Sequence, residues 1–401
     1  MDLNTINRGK DMLEVLSRLQ FALTVAFHFL FVPFTIGLII FVLIFEYKYF
    51  KTDDQKFKRL SEFFGNIFII NYAFGIVTGI VMTVQFGTNW SEYVRAMGDV
   101  FGSPLVIEAL LAFFLEATFA GIWAFRRNKI SKRFRLITIV MIFIGVMLSA
   151  LWIITANGFM QNPVGATWLV DEGKVIFDNF GNLFFNPYAW YMFTHNHLAS
   201  IMLTAFIVLA ISMYHIQRKH HEDAFKISAK LAAWIILISA VLMPITGNLY
   251  MNLIATVQPD KLNMIQNGVS VSEDVGTVLP IYVKGAFTVM VGLGTFFILL
   301  GLYVVINFEK IYTSTTLKKI MFAMIPLPYI AIITGWMVAE MGRQPWIIYN
   351  MMKVSEGISQ VPVEQVWFSI ILLISFYVVL FFMDYFLSIR TIRRGFDGEI
   401  A

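Results

Sequence analysis

The chain has 401 residues, of which 58% are hydrophobic and only 14% charged; a soluble domain carries about 25% charged residues, so the composition excludes a soluble globular protein and makes this a membrane protein. The net charge of +4 is modest, and its Lys and Arg fall in short clusters between apolar runs, which excludes a nucleic-acid surface. With no Cys there is no disulfide, thiolate chemistry, Cys-held cluster or covalent haem attachment through a C-x-x-C-H motif, and any metal falls to His, Met or carboxylate.

The N-terminal stretch "MDLNTINRGKDMLEVLSRLQ" is polar to amphipathic and no small-residue cleavage site follows the first apolar run, so that run is expected to stay in the mature protein. A crossing needs about 20 apolar residues, and such stretches fall near 19 to 45, 63 to 84, 105 to 125, 134 to 155, 190 to 214, 230 to 256, 284 to 306, 319 to 339 and 365 to 388. The expected fold is therefore all-α and polytopic, with about nine transmembrane helices in a single domain over 1–401. Basic clusters follow the first span (Lys48, Lys51, Lys56, Lys58, Arg59), the third (Arg126, Arg127, Lys129, Lys132, Arg133), the fifth (Arg218, Lys219), the seventh (Lys310, Lys318, Lys319) and the ninth (Arg390, Arg393, Arg394). Positive loops stay inside, which sets the N-terminus outside and the C-terminus in the cytoplasm. The outer loops, such as "FGTNWSEY" and "NGFMQNPVG", are rich in Gly, Asn, Pro and aromatic residues, and the longest outer insert lies at 257–280 between spans six and seven.

An ionisable group inside a span is costly and faces a cavity or a partner, which makes each one a functional candidate. His28 lies in span one, Glu108 and Glu116 on span three eight residues apart and roughly on one face, His195 and His197 at the start of span five, Met290 in span seven, and Glu340 at the end of span eight, with Arg343 one turn on. At 1.5 Å per residue, all but Glu116 fall in the outer half of the membrane, and Glu116 lies nearer the middle. His, Met and carboxylate at one depth suit haem: a His/Met pair closes a six-coordinate iron, while an iron that binds oxygen keeps one position open. A carboxylate ligand needs a cation, and Arg343 is the nearby one for it or for a haem propionate. The plainer reading of Glu340 and Arg343 is an interfacial ion pair at a helix end. A transporter with polar residues at midplane depth is a rival from another class; it would show repeated or broken helices and no haem.

The stretches "SRLQFALTVAFHFLFVP", "VQFGTNWSEY", "GSPLVIEALLAFFLEATFAG", "LSALWIITANGFMQNPVG", "FTHNHLAS", "VMVGLG" and "IPLPYIAIITGWMVAEMGRQPW" together resemble subunit I of the cytochrome bd oxidases, over all nine spans. The resemblance implies a low-spin haem b, a high-spin haem b and a haem d, and reduction of O2 to water with electrons from a quinol in a bacterial or archaeal cell membrane. It also implies a subunit II of similar fold and, as a further partner, a small single-span subunit. It makes His195 and Met290 the low-spin ligands, His28 and Glu340 ligands at the high-spin pair, Trp336 a tryptophan between haems, Arg343 a propionate neighbour, and Glu108 and Glu116 acids of proton delivery. Which high-spin iron is the chlorin stays open, and His197 reads as structural. The departures fall on the donor side: the outer insert that should carry the quinol-contacting loop is short, Lys261 in "KLNMIQ" matches the loop lysine, and Gln266 stands where an acid is expected. A glutamine does not take a proton as a carboxylate base does, so a donor other than quinol is the alternative, as is a haem-binding subunit that does not oxidise quinol.

Overall fold

The computed structural model describes residues 3–169, 171–270 and 279–397, and part of the insert expected at 257–280 therefore lies outside the described residues. In chain order the helices are α1 (Leu3–His28), α2 (Val32–Thr52), α3 (Gln55–Asn89), α4 (Ser91–Ile107), a π-helical turn at Glu108–Phe113, α5 (Phe114–Arg126) and α6 (Lys132–Gln161). A hairpin of β1 (Ala166–Leu169) and β2 (Lys174–Phe177) precedes α7 (Phe180–Phe184), α8 (Pro187–Gln217), α9 (Glu222–Val257), α10 (Pro259–Asn267) and α11 (Pro280–Ile306). The chain ends with α12 (Phe308–Thr313), α13 (Thr315–Met324), α14 (Pro326–Met341), a second hairpin of β3 (Trp346–Ile348) and β4 (Met352–Lys353), α15 (Val354–Gly357) and α16 (Val363–Arg394). Nine stretches among the described residues are long and apolar enough to cross a membrane, and each overlaps one of the nine expected from the sequence. The protein is multi-pass and its sheets are confined to two short hairpins.

The first crossing, Gly9–Thr52, is broken at its centre. Pro33 has no amide hydrogen and disfavours helix in the residue before it, so α1 stops at His28 and Leu30 and Phe31 turn back on i−3 carbonyls. Exposed backbone groups are expensive in hydrocarbon unless neighbours satisfy them. Here the Tyr329 hydroxyl donates to the Leu30 carbonyl at 3.1 Å and Asn71 Nδ2 to the Phe31 carbonyl at 2.8 Å. The break leaves His28 as the last residue of a helix, with its ring free of the next turn. Above it, α1 and α3 are joined by three polar rungs: Asn89 donates to Gln20, Gln85 Nε2 donates to Thr24 Oγ1 at 2.5 Å, and His28 meets Thr78 at 2.8 Å.

The centre of the bundle is α8, whose apolar stretch is 83% buried against 11% for that of α13–α14; it packs chiefly on α9, α2 and α6. A helix apolar on all sides is a buried one, and the core around it is built from rings such as Phe41, Phe45, Phe64, Phe206 and Phe297. The basic segments gather at one end. Lys132 Nζ reaches Asp53 at 2.6 Å, Lys56 reaches Asp223 at 3.3 Å, Gln217 donates to the Ser314 carbonyl, and Phe396 stacks on Phe225. Just inside that end Arg135 is bound by Glu46 at 2.9 Å and Glu62 at 2.8 Å. Both hairpins and α10 occupy the opposite end, where the Tyr349 amide donates to the Met160 carbonyl and the Ser359 amide to Asn89.

Because lipid offers helices no hydrophobic reason to associate, close backbone approach at small residues carries the packing. At Gly158 of α6 a methyl group would stand 2.7 to 2.9 Å from the Cβ, Cα and N of Ala189 on α8. What it would meet is mostly backbone, which cannot step aside. Gly158→Ala is therefore expected to part α6 from α8 and cost about 1–3 kcal/mol, read as a lower melting temperature of the detergent-solubilised protein than Gly87→Ala, where a Cβ meets nothing within 4 Å.

Candidate functional site

Two histidines sit in matching settings. His28 Nδ1 lies 2.8 Å from Thr78 Oγ1, and His195 Nδ1 lies 3.2 Å from Thr246 Oγ1. Each threonine hydroxyl also lies within bonding distance of carbonyls of its own helix, Phe74 and Gly75 for Thr78, Leu242 and Met243 for Thr246. Its single proton goes to those carbonyls, so its oxygen accepts from Nδ1–H. That fixes the tautomer with a bare lone pair on Nε2, which is the form that ligates a metal. Glycines flank both rings: a Cβ at Gly79 would lie 3.3 Å from His28 Cε1, and one at Gly247 3.3 Å from His195 Cε1. Gly247 follows Pro244, which interrupts the hydrogen bonding of α9 beside His195. His197 is buried too, but its Nδ1–H is held by the Phe193 carbonyl of its own helix at 2.7 Å, its ring lies against Phe193, and its Nε2 has no partner among the described residues.

Helix α14 connects the other candidates. Met290 of α11 sets its sulfur where a Cβ on Gly335 would stand 2.9 Å away. The next residue, Trp336, packs edge-on against Phe29, the residue after His28, with ring centroids 5.9 Å apart. One turn on, Glu340 Oε2 accepts from Arg343 Nη2 at 2.5 Å and Oε1 accepts from Asn157 Nδ2 at 2.9 Å and Gln161 Nε2 at 3.4 Å. A carboxylate at a helix C-terminus is set against the helix dipole, and the Arg343 charge offsets that. Arg343 is 3% exposed; its Nε donates to the Trp346 carbonyl, and its buried Nη1 has no partner among the described residues.

Glu108 and Glu116 both face α6. Ser149 donates to Glu108 at 2.7 Å, and a Cβ at Gly145, one turn earlier, would lie 2.6 Å from Glu116 Cβ. Two α-turns take 7.2 residues, and the π-helical turn at Glu108–Phe113 absorbs the excess in a spacing of eight, so the acids share a face more closely than a regular helix allows. They form a pair apart from Glu340. Along α6 the partners run at steps of four, eight and four residues: Gly145 for Glu116, Ser149 for Glu108, Asn157 for Glu340 and Gln161 for Lys261.

Lys261 is buried at 1% exposure, whereas Gln266 on the same short helix α10 is exposed. Lys261 Nζ is held by Gln258 Oε1 at 2.7 Å, Gln161 Oε1 at 2.8 Å and the Tyr188 hydroxyl at 3.2 Å. Burial first, and the Arg343 charge second, push it well below the usual lysine range, with Glu340 opposing. Gln161, Gln258 and Tyr188 escaped the sequence reading although Gln161 lies in a quoted motif; the Thr78 and Thr246 partners leave no signal in one sequence. Among the described residues no three His, Asp or Glu side chains converge as a metal site.

The family model for cytochrome bd terminal oxidase subunit I matches residues 16–280 and 270–396. The chain belongs to that family. It is 34% identical to cytochrome bd ubiquinol oxidase subunit 1 of Bacillus subtilis (strain 168), over 96% of this chain and 94% of the relative. It is 28% identical to cytochrome bd-II ubiquinol oxidase subunit 1 of Escherichia coli (strain K12), over 95% of this chain and 96% of the relative. The fold is that of the bd oxidase from Geobacillus thermodenitrificans, with a TM-score of 0.87, 24% identity, and coverage of 96% of this chain and 99% of that one. The family places this chain among the haem proteins of terminal oxidases, and the His, Met and Glu positions above are its candidate ligands.

Removing the Glu340 carboxylate strands the buried Arg343 guanidinium. Glu340→Ala is expected to cost about 3–5 kcal/mol, against a smaller loss for Glu340→Gln, which keeps an acceptor; thermal melting in detergent compares the two.

Proposed function

We propose that this chain is the haem-carrying subunit of a bd-type quinol:O2 oxidoreductase in a bacterial or archaeal cell membrane. The pair of histidines whose Nδ1–H is held by a threonine carries the reading. His195 and Met290 would hold the low-spin haem b, and His28 and Glu340 the high-spin haem b and haem d. The residues fit such groups: both histidines present Nε2, Met290 a thioether, and Arg343 a buried Nη1 with no partner among the described residues, which suits a propionate. Haem, when bound, supplies one-electron relay and the O2-binding iron.

The protein's own residues supply position and protons. Asn157 and Arg343 hold the Glu340 carboxylate from both sides and keep it aimed. Trp336, between Met290 and the Phe29–His28 corner, sits on the route from the low-spin to the high-spin ligands. The basic loops gathered at one end set that end in the cytoplasm by the positive-inside rule, with the N-terminus outside. Protons consumed in making water then rise from that end to the outer half, and Glu116 followed by Glu108, aligned by the π-turn and facing α6, are the relays. Two quinols give four electrons and four protons to the outer side while O2 takes four electrons and four cytoplasmic protons to form two waters, so charge separation follows without a pump.

A subunit II completes the complex, as the relatives' designation as subunit 1 suggests, and a small single-span subunit is the further partner. The outward rings of α16, Phe368, Phe382 and Phe386 among them, offer apolar surface for lipid or for these partners. A second reading, a donor other than quinol, rests on the donor side. Lys261 is sealed in protein and Gln266 is an exposed amide where a base is expected.

Two measurements test this. Met290→Leu removes the six-coordinate signature from the reduced spectrum, and Gly335→Val, which crowds the Met290 sulfur, weakens it; an unchanged spectrum in both overturns the ligand. Steady-state O2 uptake with a soluble quinol is expected to be present; its absence in a preparation containing extractable haem b and chlorin supports the other donor.

A further inference from the structure

Ser17, Gln85, Trp90 and Tyr377 are each more than nine-tenths buried. Each has a polar atom with no hydrogen-bond partner among the described residues: the Ser17 hydroxyl, Gln85 Oε1, Trp90 Nε1 and the Tyr377 hydroxyl. Native interiors leave few such atoms, and ordered water meets most of those that persist. All four lie in one seam, where α1, α3 and α16 pack together. Ser17, Gln20, Thr24 and His28 recur on one face of α1 and meet α3 through the rungs Gln20–Asn89, Thr24–Gln85 and His28–Thr78. On α16, Ser369 donates to Gln20 Oε1 at 3.3 Å. Two turns on, Tyr377 stacks on Phe27 with ring centroids 4.3 Å apart and its hydroxyl facing Thr24. The unpartnered atoms fall at two levels, Ser17 with Trp90 above the first rung and Gln85 with Tyr377 around the second. Each level sets a donor, an indole or a phenol, beside an acceptor, so a water at each level meets both.

From Ser17 to His28 the column is about 16 Å long, roughly half the hydrocarbon thickness. Above it, at the end that carries the hairpins, lies a cavity of about 280 Å3 lined by Lys10, Asp11 and Glu14 of α1 and by Ser355, Ile358 and Gln360. Ser359, beside Ile358, donates its amide to the Asn89 carbonyl and its hydroxyl to Ser91 at 2.7 Å, so cavity and column share one wall. At the inner end Gly79 leaves the Cε1 edge of the His28 ring, between its two nitrogens, with no side chain over it. Toward the cytoplasmic end the core is closed by fully buried rings such as Phe41, Phe64 and Phe206, which offer water no partner.

We propose that this column is the outlet for the water made at the high-spin pair. Reaction water passes the open edge of the His28 ring, moves along the Gln85–Tyr377 and Ser17–Trp90 levels, and leaves through the cavity to the outer side. This rests on the reading of His28 as a ligand at the O2-reducing pair. Amides, hydroxyls and an indole neither take up nor release a proton at neutral pH. The column therefore offers no base along its length, and proton supply stays with Glu116 and Glu108 facing α6.

Two readouts on the whole oxidase in detergent test this. Hydroxyl radicals generated from water in a synchrotron pulse oxidise side chains next to bound water. Trp90 and Tyr377 are expected to be labelled well above Phe41 and Phe206, which are at least as deeply buried but lie in the apolar core; labelling no higher than those rings overturns the column. The second readout is steady-state O2 uptake by Tyr377→Phe, Gln85→Leu and the double variant, with haem content and the reduced spectrum measured alongside. The double variant is expected to lower kcat about fivefold, the rate equivalent of one lost hydrogen bond, with KM, haem content and spectrum at their wild-type values. Tyr377→Phe keeps the stack on Phe27 and removes only the hydroxyl, so a smaller loss of kcat in that variant alone carries the test where the Gln85 variants do not assemble. Labelled side chains whose variants turn over at the wild-type rate mean structural hydration, which overturns the outlet. A lowered kcat that comes with lost haem or a moved spectrum puts these side chains at the cofactor and also overturns it. A wild-type protein with no high-spin haem overturns the reading of His28 and the outlet with it, whereas a dry column in a haem-loaded protein overturns the outlet alone.

Discussion

Arginine cannot shed its proton at any pH a cell meets, and Arg343 is buried at 3% exposure. The outer half of the bundle is arranged around that charge. Glu340 answers it directly, but a carboxylate taken out of water needs its remaining lone pairs filled or the pair is a net loss. Asn157 and Gln161 fill them from α6, which must lie close enough to α14 to do so. That proximity depends on α6 running tight against α8 at Gly158, three residues before Gln161 and one after Asn157. A backbone contact in the middle of the bundle thus supports a hydrogen bond at its edge.

Helix α6 has a second role in the same terms. Its row from Gly145 to Gln161 serves an acid pair, Glu116 with Glu108, and a separate ion pair, Glu340 with Arg343. At Gly145 it offers room, at Ser149 a hydroxyl donor, and at Asn157 and Gln161 amide donors. Acids embedded in a membrane protein are satisfied one at a time by a neighbour of the right length, and a single straight helix presents those neighbours at successive depths.

Much of this was legible in the chain. Nine apolar stretches and five alternating basic clusters gave the span count, and polar residues at matched depth singled out His28, His195, Met290 and Glu340 before any fold was known. The motifs added roles that spacing could not. What stayed hidden were relations between helices: Thr78 and Thr246 are ordinary threonines in sequence, and only packing shows that each fixes a histidine tautomer. Lys261 was the more instructive case. A lysine in a polar outer insert reads as exposed, yet the amphipathic turn of α10 buries it among Gln258, Gln161 and Tyr188. The π-turn was hidden as well, since a spacing of eight is compatible with a regular helix. Residues 271–278 of the insert lie outside the described residues.

The three polar rungs between α1 and α3 bear on how the chain is made. Gln20, Thr24 and His28 leave the ribosome some fifty or more residues before Thr78, Gln85 and Asn89. Until those arrive, the first crossing holds amide, hydroxyl and imidazole groups that hydrocarbon cannot satisfy. The N-terminal crossing therefore has reason to wait near the insertion machinery or the interface, and to settle at full depth only when α3 comes down beside it. His28 reaches its final orientation in that same step, because the lowest rung is its bond to Thr78. On this ordering, the imidazole of His28 takes up its final setting only after α3 is threaded.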